Sequence, residues 1–220
     1  MTSHELFVLA HILLLAYWLG ADLGQFYLSF TVRKPEVAVP TRALIAKAMV
    51  ALDQFPRMAL VLMLPVGLTL AAQSKLSPLR GTGLALAWGA SLAWLSVVVF
   101  LHVRSSTALA ETMRKADWAL RAVLAPMLIV LGVISVVSGD PFTTAWLGWK
   151  VAIFGMIMAL GLAIRIVIRD FGPSLQRLLA DGSTPSGEAA LRASLMPAYP
   201  LVIAIWILLI TAAALGVAQP

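Results

Sequence analysis

The sequence predicts an all-α fold: a polytopic bundle of six transmembrane helices in a single integral membrane domain that covers residues 1–220. Composition is the first reason. Of the residues, 61% are hydrophobic and 12% are charged, whereas soluble domains are near half apolar and about a quarter charged. The second reason is the length of the apolar segments, since a helix needs about 20 such residues to cross a bilayer. The connecting segments are too short for a separate soluble domain.

Six segments meet this requirement in chain order. They are Leu6–Phe30, Pro56–Ala72, Gly83–Val103, Arg121–Val137, Ala145–Ile168 and Pro197–Val217. We expect the first one to remain a membrane span and not to be a cleaved signal peptide. It lacks the basic leading region of a signal peptide, its apolar stretch is too long, and no small-residue cleavage site follows it.

Loop charges predict the orientation, because Lys and Arg near span ends stay cytoplasmic. Most basic residues lie in or beside the first, third and fifth loops: Arg33, Lys34, Arg42, Lys47, Arg57, Arg104, Arg114, Lys115, Arg121, Arg165, Arg169, Arg177 and Arg192. The opposite side has only Lys75, Arg80 and Lys150. We therefore expect a bacterial inner-membrane protein with both termini on the outer, periplasmic side. The net charge of +6 reflects this bias and does not indicate a nucleic-acid partner.

The spans group into three hairpins that share a pattern. The second helix of each is entered through an acid and an arginine four residues apart: Asp53 and Arg57, Asp117 and Arg121, Glu188 and Arg192. This pattern is compatible with three related helical hairpins, since transporters are often built from internal repeats. Pairs at this spacing also stabilise any helix, so helix stabilisation without a repeat is the alternative interpretation.

Two ionisable residues lie inside the first span. His11, Leu15, Trp18 and Asp22 follow a helical spacing that places them on one face. His11 and Lys150 each lie five residues from the outer end of their span, so both should sit roughly 7–8 Å below the outer surface. The shared depth favours a joint site over a Lys150 that only extends to the surface.

Asp22 belongs to a deeper layer, three helical turns further towards the cytoplasm. Arg165 and Arg57 lie near the same level. Because charges inside a membrane usually pair, we predict a structural ion pair between Asp22 and Arg165 or Arg57. A proton relay is the alternative role for this carboxyl group.

Three stretches resemble known membrane proteins. LAHILLLAYWLGADLGQFYLSF and PRMALVLMLPVGLTLA resemble the first two helices of HemJ-type protoporphyrinogen oxidases, and WLGWKVAIFGMIMALGLAIR resembles a later helix of these proteins. The same His and Lys helices resemble the copper resistance protein D (CopD) family. The six-span layout is closer to the CopD-like membrane domain, because HemJ-type proteins have fewer helices.

The resemblance implies that His11 and Lys150 match the functional His and Lys of these proteins. The implied function is a b-type haem or porphyrin site near the outer face, for redox or metal handling. His11 would then be an axial ligand or a proton-transfer group, and Lys150 a ligand or a propionate partner. Trp18 and Trp88 would pack on the ring. Ordinary packing, or a position in the aromatic belt at the membrane interface, is the alternative for both tryptophans. A redox role would need a membrane or periplasmic redox partner.

Copper transport or resistance is the second hypothesis for the function. Copper prefers imidazole and thioether ligands, and the chain has 3 His and 9 Met. His4 adds a specific hypothesis: after removal of Met1, the amine, two backbone nitrogens and the His4 imidazole would form a square-planar copper site. The third hypothesis is that the protein is a non-catalytic membrane subunit or assembly factor.

Several site classes are excluded by the sequence. The chain has no cysteine, which rules out disulfides, thiolate metal sites and iron–sulfur clusters. It also has no phosphate-binding glycine-rich loop, HExxH or Gly-x-Ser-x-Gly motif. Any chemistry is therefore expected inside the membrane, among His11, Lys150 and Asp22.

Overall fold

The computed structural model describes residues 1–104 and 106–219. These residues form eight α-helices and no strand. The helices are α1 (Ser3–Val32), α2 (Val39–Gln73), α3 (Thr82–Val103), α4 (Ala108–Ser138), α5 (Ala145–Val167), α6 (Phe171–Asp181), α7 (Pro185–Leu195) and α8 (Ala198–Ala218). Six helical segments of the described chain are long and apolar enough to cross a membrane, with α5–α6 and α7–α8 each taken as one segment. The predicted fold class is confirmed.

The helix ends follow from local side-chain chemistry. At the start of α1, the Thr2 hydroxyl accepts from the Glu5 backbone N–H, and the Glu5 carboxylate accepts from the Thr2 backbone N–H. This capping box satisfies two helix donors that would otherwise lack a partner. The Thr107 hydroxyl accepts from the Ala110 backbone N–H at the start of α4. Helix α4 ends at Gly139, whose φ of +74° is readily adopted only by glycine.

The helices run alternately, so the bundle has two ends. We call one the terminal end; it holds Ser3, Gln73, Thr82, Ser138, Ala145 and Ala218. We call the other the arginine end; it holds Val32, Val39, Val103, Ala108 and Val167, together with α6 and α7. Helices α2 and α4 begin well before the predicted spans at Pro56 and Arg121, because the polar turns that precede these spans are also helical.

Neighbouring helices follow the order α1, α2, α3, α4, α5, α8. Aromatic contacts between α8 and α1 close the ring: the Phe26 centroid lies 5.1 Å from that of Tyr199 and 5.0 Å from that of Trp206. Inside the ring, one core cluster takes buried side chains from all six helices. These include Trp18, Ala59, Val61, Trp94, Val98, Ala125, Leu128, Ile153, Ile157, Met158, Ile205 and Leu209.

Helices α4 and α5 approach each other closely at three glycines, Gly132, Gly148 and Gly155. A Cβ added at Gly148 would lie 2.9 Å from the Gly132 carbonyl oxygen, and one added at Gly155 would lie 2.7 Å from the Ala125 carbonyl oxygen. Small residues permit this contact of backbones in membrane bundles. Because α4 packs more extensively on α5 than on α3, the packing does not follow three equal hairpins. The relationship between the hairpins stays a prediction.

Two short helices cover the arginine end. Leu175 and Leu178 of α6 and Leu191 of α7 pack against Ala46 of α2. Beside them, the fully buried Arg42 donates from Nη1 to both Glu188 oxygens at 2.8 Å. The acid of the third hairpin therefore pairs with α2, whereas the acids of the first two hairpins pair with their own i+4 arginines.

We expect Glu188→Ala to lower the free energy of unfolding by about 2–3 kcal/mol, because it leaves a buried guanidinium without its carboxylate. The matched control is Glu111→Ala, which breaks an exposed pair with Arg114 and should cost less than about 1 kcal/mol. Unfolding in mixed detergent micelles measures both variants. Equal losses would show that the Arg42–Glu188 contact does not fasten α7 to α2.

Candidate functional site

His11 lies near the terminal end, and one nitrogen of its ring makes no hydrogen bond to the described residues. Its Nδ1 is buried and has no hydrogen-bond partner among the described residues. Gly67 of α2 faces the ring, since a Cβ added there would lie 3.7 Å from His11 Cε1. The absence of a side chain at Gly67 lets the imidazole lie against the α2 backbone.

Lys150 is half-buried on α5 at the same end. Its Nζ lies 5.7 Å from the Trp146 ring centroid, and only 2.6 Å from the place that a Cβ of Gly216 would occupy. The ammonium also acts electrostatically on the His11 imidazole. The structure therefore places His11 and Lys150 at the same end of the bundle and within electrostatic range of each other.

The two tryptophans assigned to the site lie in different surroundings. Trp88 Nε1 donates to Thr69 Oγ1 at 3.0 Å, and the Trp88 ring centroid is 6.1 Å from that of Phe7 at the terminal end. Trp18 is 3% exposed and belongs to the core cluster. Trp88 is thus the one that shares the terminal end with His11 and Lys150, while Trp18 fills the centre of the bundle.

The amino terminus is held in the first helical turn. His4 Nδ1 lies 3.1 Å from Gln73 Oε1, and the Thr2 backbone N–H donates to Glu5 at 2.8 Å. Copper coordination by successive backbone nitrogens would require this turn to unwind. The described residues form no group of three or more His, Asp or Glu side chains that would hold a metal ion.

The predicted ion pair of Asp22 is wrong for the described residues. Arg57 pairs with Asp53, and Arg165 pairs with Asp117. Arg57 reaches Asp53 because the two are one turn apart on α2, while the close packing of α4 on α5 brings Asp117 to Arg165. Asp22 forms no ion pair among the described residues; its carboxyl group lies near the indoles of Trp18 and Trp206, and the Trp206 Nε1 is buried without a hydrogen-bond partner.

Asp117 is the centre of a buried polar cluster near the arginine end. Only 3% exposed, it accepts from Trp94 Nε1 at 2.8 Å, Arg121 Nε at 2.9 Å and Arg165 Nη1 at 2.9 Å. The Arg121 guanidinium lies over the Trp94 ring, with its Cζ 5.1 Å from the centroid. One carboxylate therefore ties α3, α4 and α5 together.

A cavity of about 480 Å³ opens beside this cluster. Four helices line it, with Asp53, Gln54 and Arg57 from α2, Leu101 and His102 from α3, Arg114, Asp117, Trp118 and Arg121 from α4, and Arg165 and Ile166 from α5. His102 is thus an exposed residue at the rim of this cavity, far along the bundle from His11.

The sequence contains a signal for these side chains but none for the cavity between them. The acid–arginine pairs at i, i+4 are visible in the sequence, where they indicate helix stabilisation or a repeat. That Asp117 serves an arginine of another helix depends on which helices are neighbours, and the pattern of one helix does not contain this information.

We compared the chain with known proteins: no protein-family model, no curated protein and no solved structure matches it.

Proposed function

We propose that this chain is a CopD/HemJ-like protein of a bacterial inner membrane that binds a b-type haem or a related porphyrin at the terminal end of its bundle. The observation that carries the proposal is the buried His11 Nδ1 without a partner. Buried polar atoms are nearly always hydrogen-bonded, and an exception at a histidine is compatible with a role as a ligand. A single histidine suffices to hold a haem iron.

The surrounding residues suit such a group in charge and chemical character. Lys150 supplies a positive charge near His11, which suits a carboxylate such as a propionate. Gly67 leaves the edge of the imidazole uncovered by a side chain. Trp88 and Phe7 add an aromatic surface at the same end.

In this proposal each side chain has a separate task. His11 binds, Lys150 orients the anionic edge of the ligand, and Trp88 excludes water, held in place by its hydrogen bond to Thr69. A bound haem would supply one-electron chemistry. With both termini outside, as the loop charges predict, the site lies near the outer face and within reach of a membrane or periplasmic redox partner.

The test is an absorption spectrum of the detergent-purified full-length protein, as isolated, after addition of haemin, and after reduction with dithionite. We expect a Soret band that is lost or shifted in His11→Ala. His102→Ala is the matched control, because it removes a histidine from the opposite end of the bundle, and its spectrum should equal that of the parent. Lys150→Met should retain the band with weaker haemin affinity.

Two outcomes contradict the proposal. One is the absence of a Soret band even after haemin is added to the parent protein. The other is a His11→Ala spectrum that cannot be told from that of His102→Ala. In either case, the copper content of the purified protein by elemental analysis would test the alternative of copper transport or resistance.

A further inference from the structure

The cavity at the arginine end has more hydrogen-bond donors than the described protein uses. Arg57 donates to Asp53 through Nε and contacts it through Nη2, so its Nη1 is uncommitted. Arg165 donates to Asp117 only through Nη1, so its Nε and Nη2 are uncommitted. The Arg121 side chain is 6% exposed, and its Nη2 is buried without an acceptor. These statements hold for residues 1–104 and 106–219.

The three arginines belong to one electrostatic group although they come from three helices. Arg121 interacts electrostatically with both Arg165 and Arg57. Two carboxylates of the lining, Asp53 and Asp117, face these three guanidinium groups. The group therefore has one positive charge in excess, since Arg114, also in the lining, is set against Glu111 outside it.

The cavity has an apolar wall as well as a charged one. Val50, Val98, Leu101 and Ile166 line it together with the arginines, and the half-exposed indole of Trp118 stands at its edge. The cavity lies where predicted spans meet polar turns. This combination suits a ligand with an anionic group and an adjoining apolar part.

The geometry points to a phosphate-binding site in this cavity, with Arg57 and Arg165 as the hydrogen-bond donors and the buried Arg121 as an added positive charge behind them. Guanidinium groups match the tetrahedral oxygens of a phosphate with paired N–H donors. The phosphate is that of an anionic phospholipid headgroup or a free phosphate, and both would use the same three side chains. This site lies at the opposite end of the bundle from the proposed porphyrin site and does not depend on it.

The experiment uses the full-length protein in detergent with two probes. Native mass spectrometry measures the retention of phosphatidylglycerol against phosphatidylcholine, whose choline cation is repelled by the positive lining. Calorimetric titration with inorganic phosphate measures the free anion. We expect Arg57→Gln and Arg165→Gln each to weaken binding about tenfold or more, as loss of a charge-assisted hydrogen bond does.

The matched control is Arg169→Gln. It makes the same change of charge at the same end, but Arg169 is 75% exposed and lies outside the cavity lining. Selective retention of phosphatidylglycerol that falls in the two cavity variants and not in the control supports a lipid headgroup. The same pattern with inorganic phosphate supports a free phosphate.

Three results would overturn the inference: no binding of either probe to the parent protein, equal losses in the control and the cavity variants, or unchanged binding in the cavity variants. Thermal unfolding is measured for each variant. If Arg165→Gln fails to fold, the binding measured for Arg57→Gln decides the matter. This variant should fold, because its partner Asp53 is 30% exposed and water can solvate the carboxylate when Arg57 is replaced.

Discussion

Asp117→Asn is expected to destabilise the protein by about 3–5 kcal/mol, the usual cost of removing one partner from a buried ion pair. The Asp117 side chain is 2% exposed and contacts two arginines. An amide has one acceptor oxygen, and its NH₂ group would oppose a guanidinium donor. The substitution also leaves Arg121, itself 6% exposed, with uncompensated charge in a poorly hydrated place.

The matched control is Asp53→Asn, which removes a carboxylate from the same end of the bundle. The Asp53–Arg57 pair is 30% and 39% exposed, so water screens it, and the expected loss is about 1 kcal/mol or less. Reversible unfolding in mixed detergent micelles gives both values. A loss for Asp117→Asn no larger than for Asp53→Asn would mean that the cluster is not a structural anchor of α3, α4 and α5.

Gly132→Ala is expected to lower the free energy of unfolding by about 1–3 kcal/mol, or by more if the helices cannot separate, as overpacking does. The added Cβ would overlap the Ala152 backbone nitrogen and lie 2.5 Å from the Gly148 carbonyl oxygen. Both are backbone atoms, so no side-chain rotation relieves the contact. Helices α4 and α5 would have to move apart, which also disturbs the Asp117–Arg165 bridge.

Gly161→Ala is the control for this prediction. Gly161 lies on α5, and a Cβ there would meet nothing within 4 Å, so we expect no loss of stability. The two variants are compared by the same unfolding assay and by size-exclusion chromatography. If Gly132→Ala proved as stable as Gly161→Ala, the close approach of α4 and α5 would not be a requirement of the fold.

The sequence alone does not show which glycines permit close contact between helices. Gly20 and Gly24 form a GxxxG pattern, yet a Cβ at Gly20 would meet nothing within 4 Å and one at Gly24 would meet only a Leu52 methyl group at 3.3 Å. Gly132 has no such partner pattern, and it makes the tightest contact. Helix spacing identifies which glycines share a face, but the neighbour of that face is a property of the assembled bundle.

The buried face of α1 could be predicted from the sequence more fully than the glycine contacts. The helical spacing of His11, Leu15 and Trp18 predicts one face, and in the structure Trp18 lies in the core, Leu15 packs against it and His11 lies against Gly67. The location of His11 and Lys150 at the same end of the bundle was also predictable, because a helix rises by a constant amount per residue. The binding of a haem or porphyrin there stays a proposal.

The six apolar helices and the end of the bundle at which the arginines collect can be predicted from the sequence, because hydrophobic length and charge act locally along the chain. The partners of the charges depend on how the helices pack. The packing assigns Arg165 to Asp117, Arg42 to Glu188, and no arginine of the described chain to Asp22. A guanidinium pairs with whichever carboxylate the packing brings within about 3 Å. The close approach of α4 to α5 brings Asp117 to Arg165, and the cover of α2 by α7 brings Glu188 to Arg42.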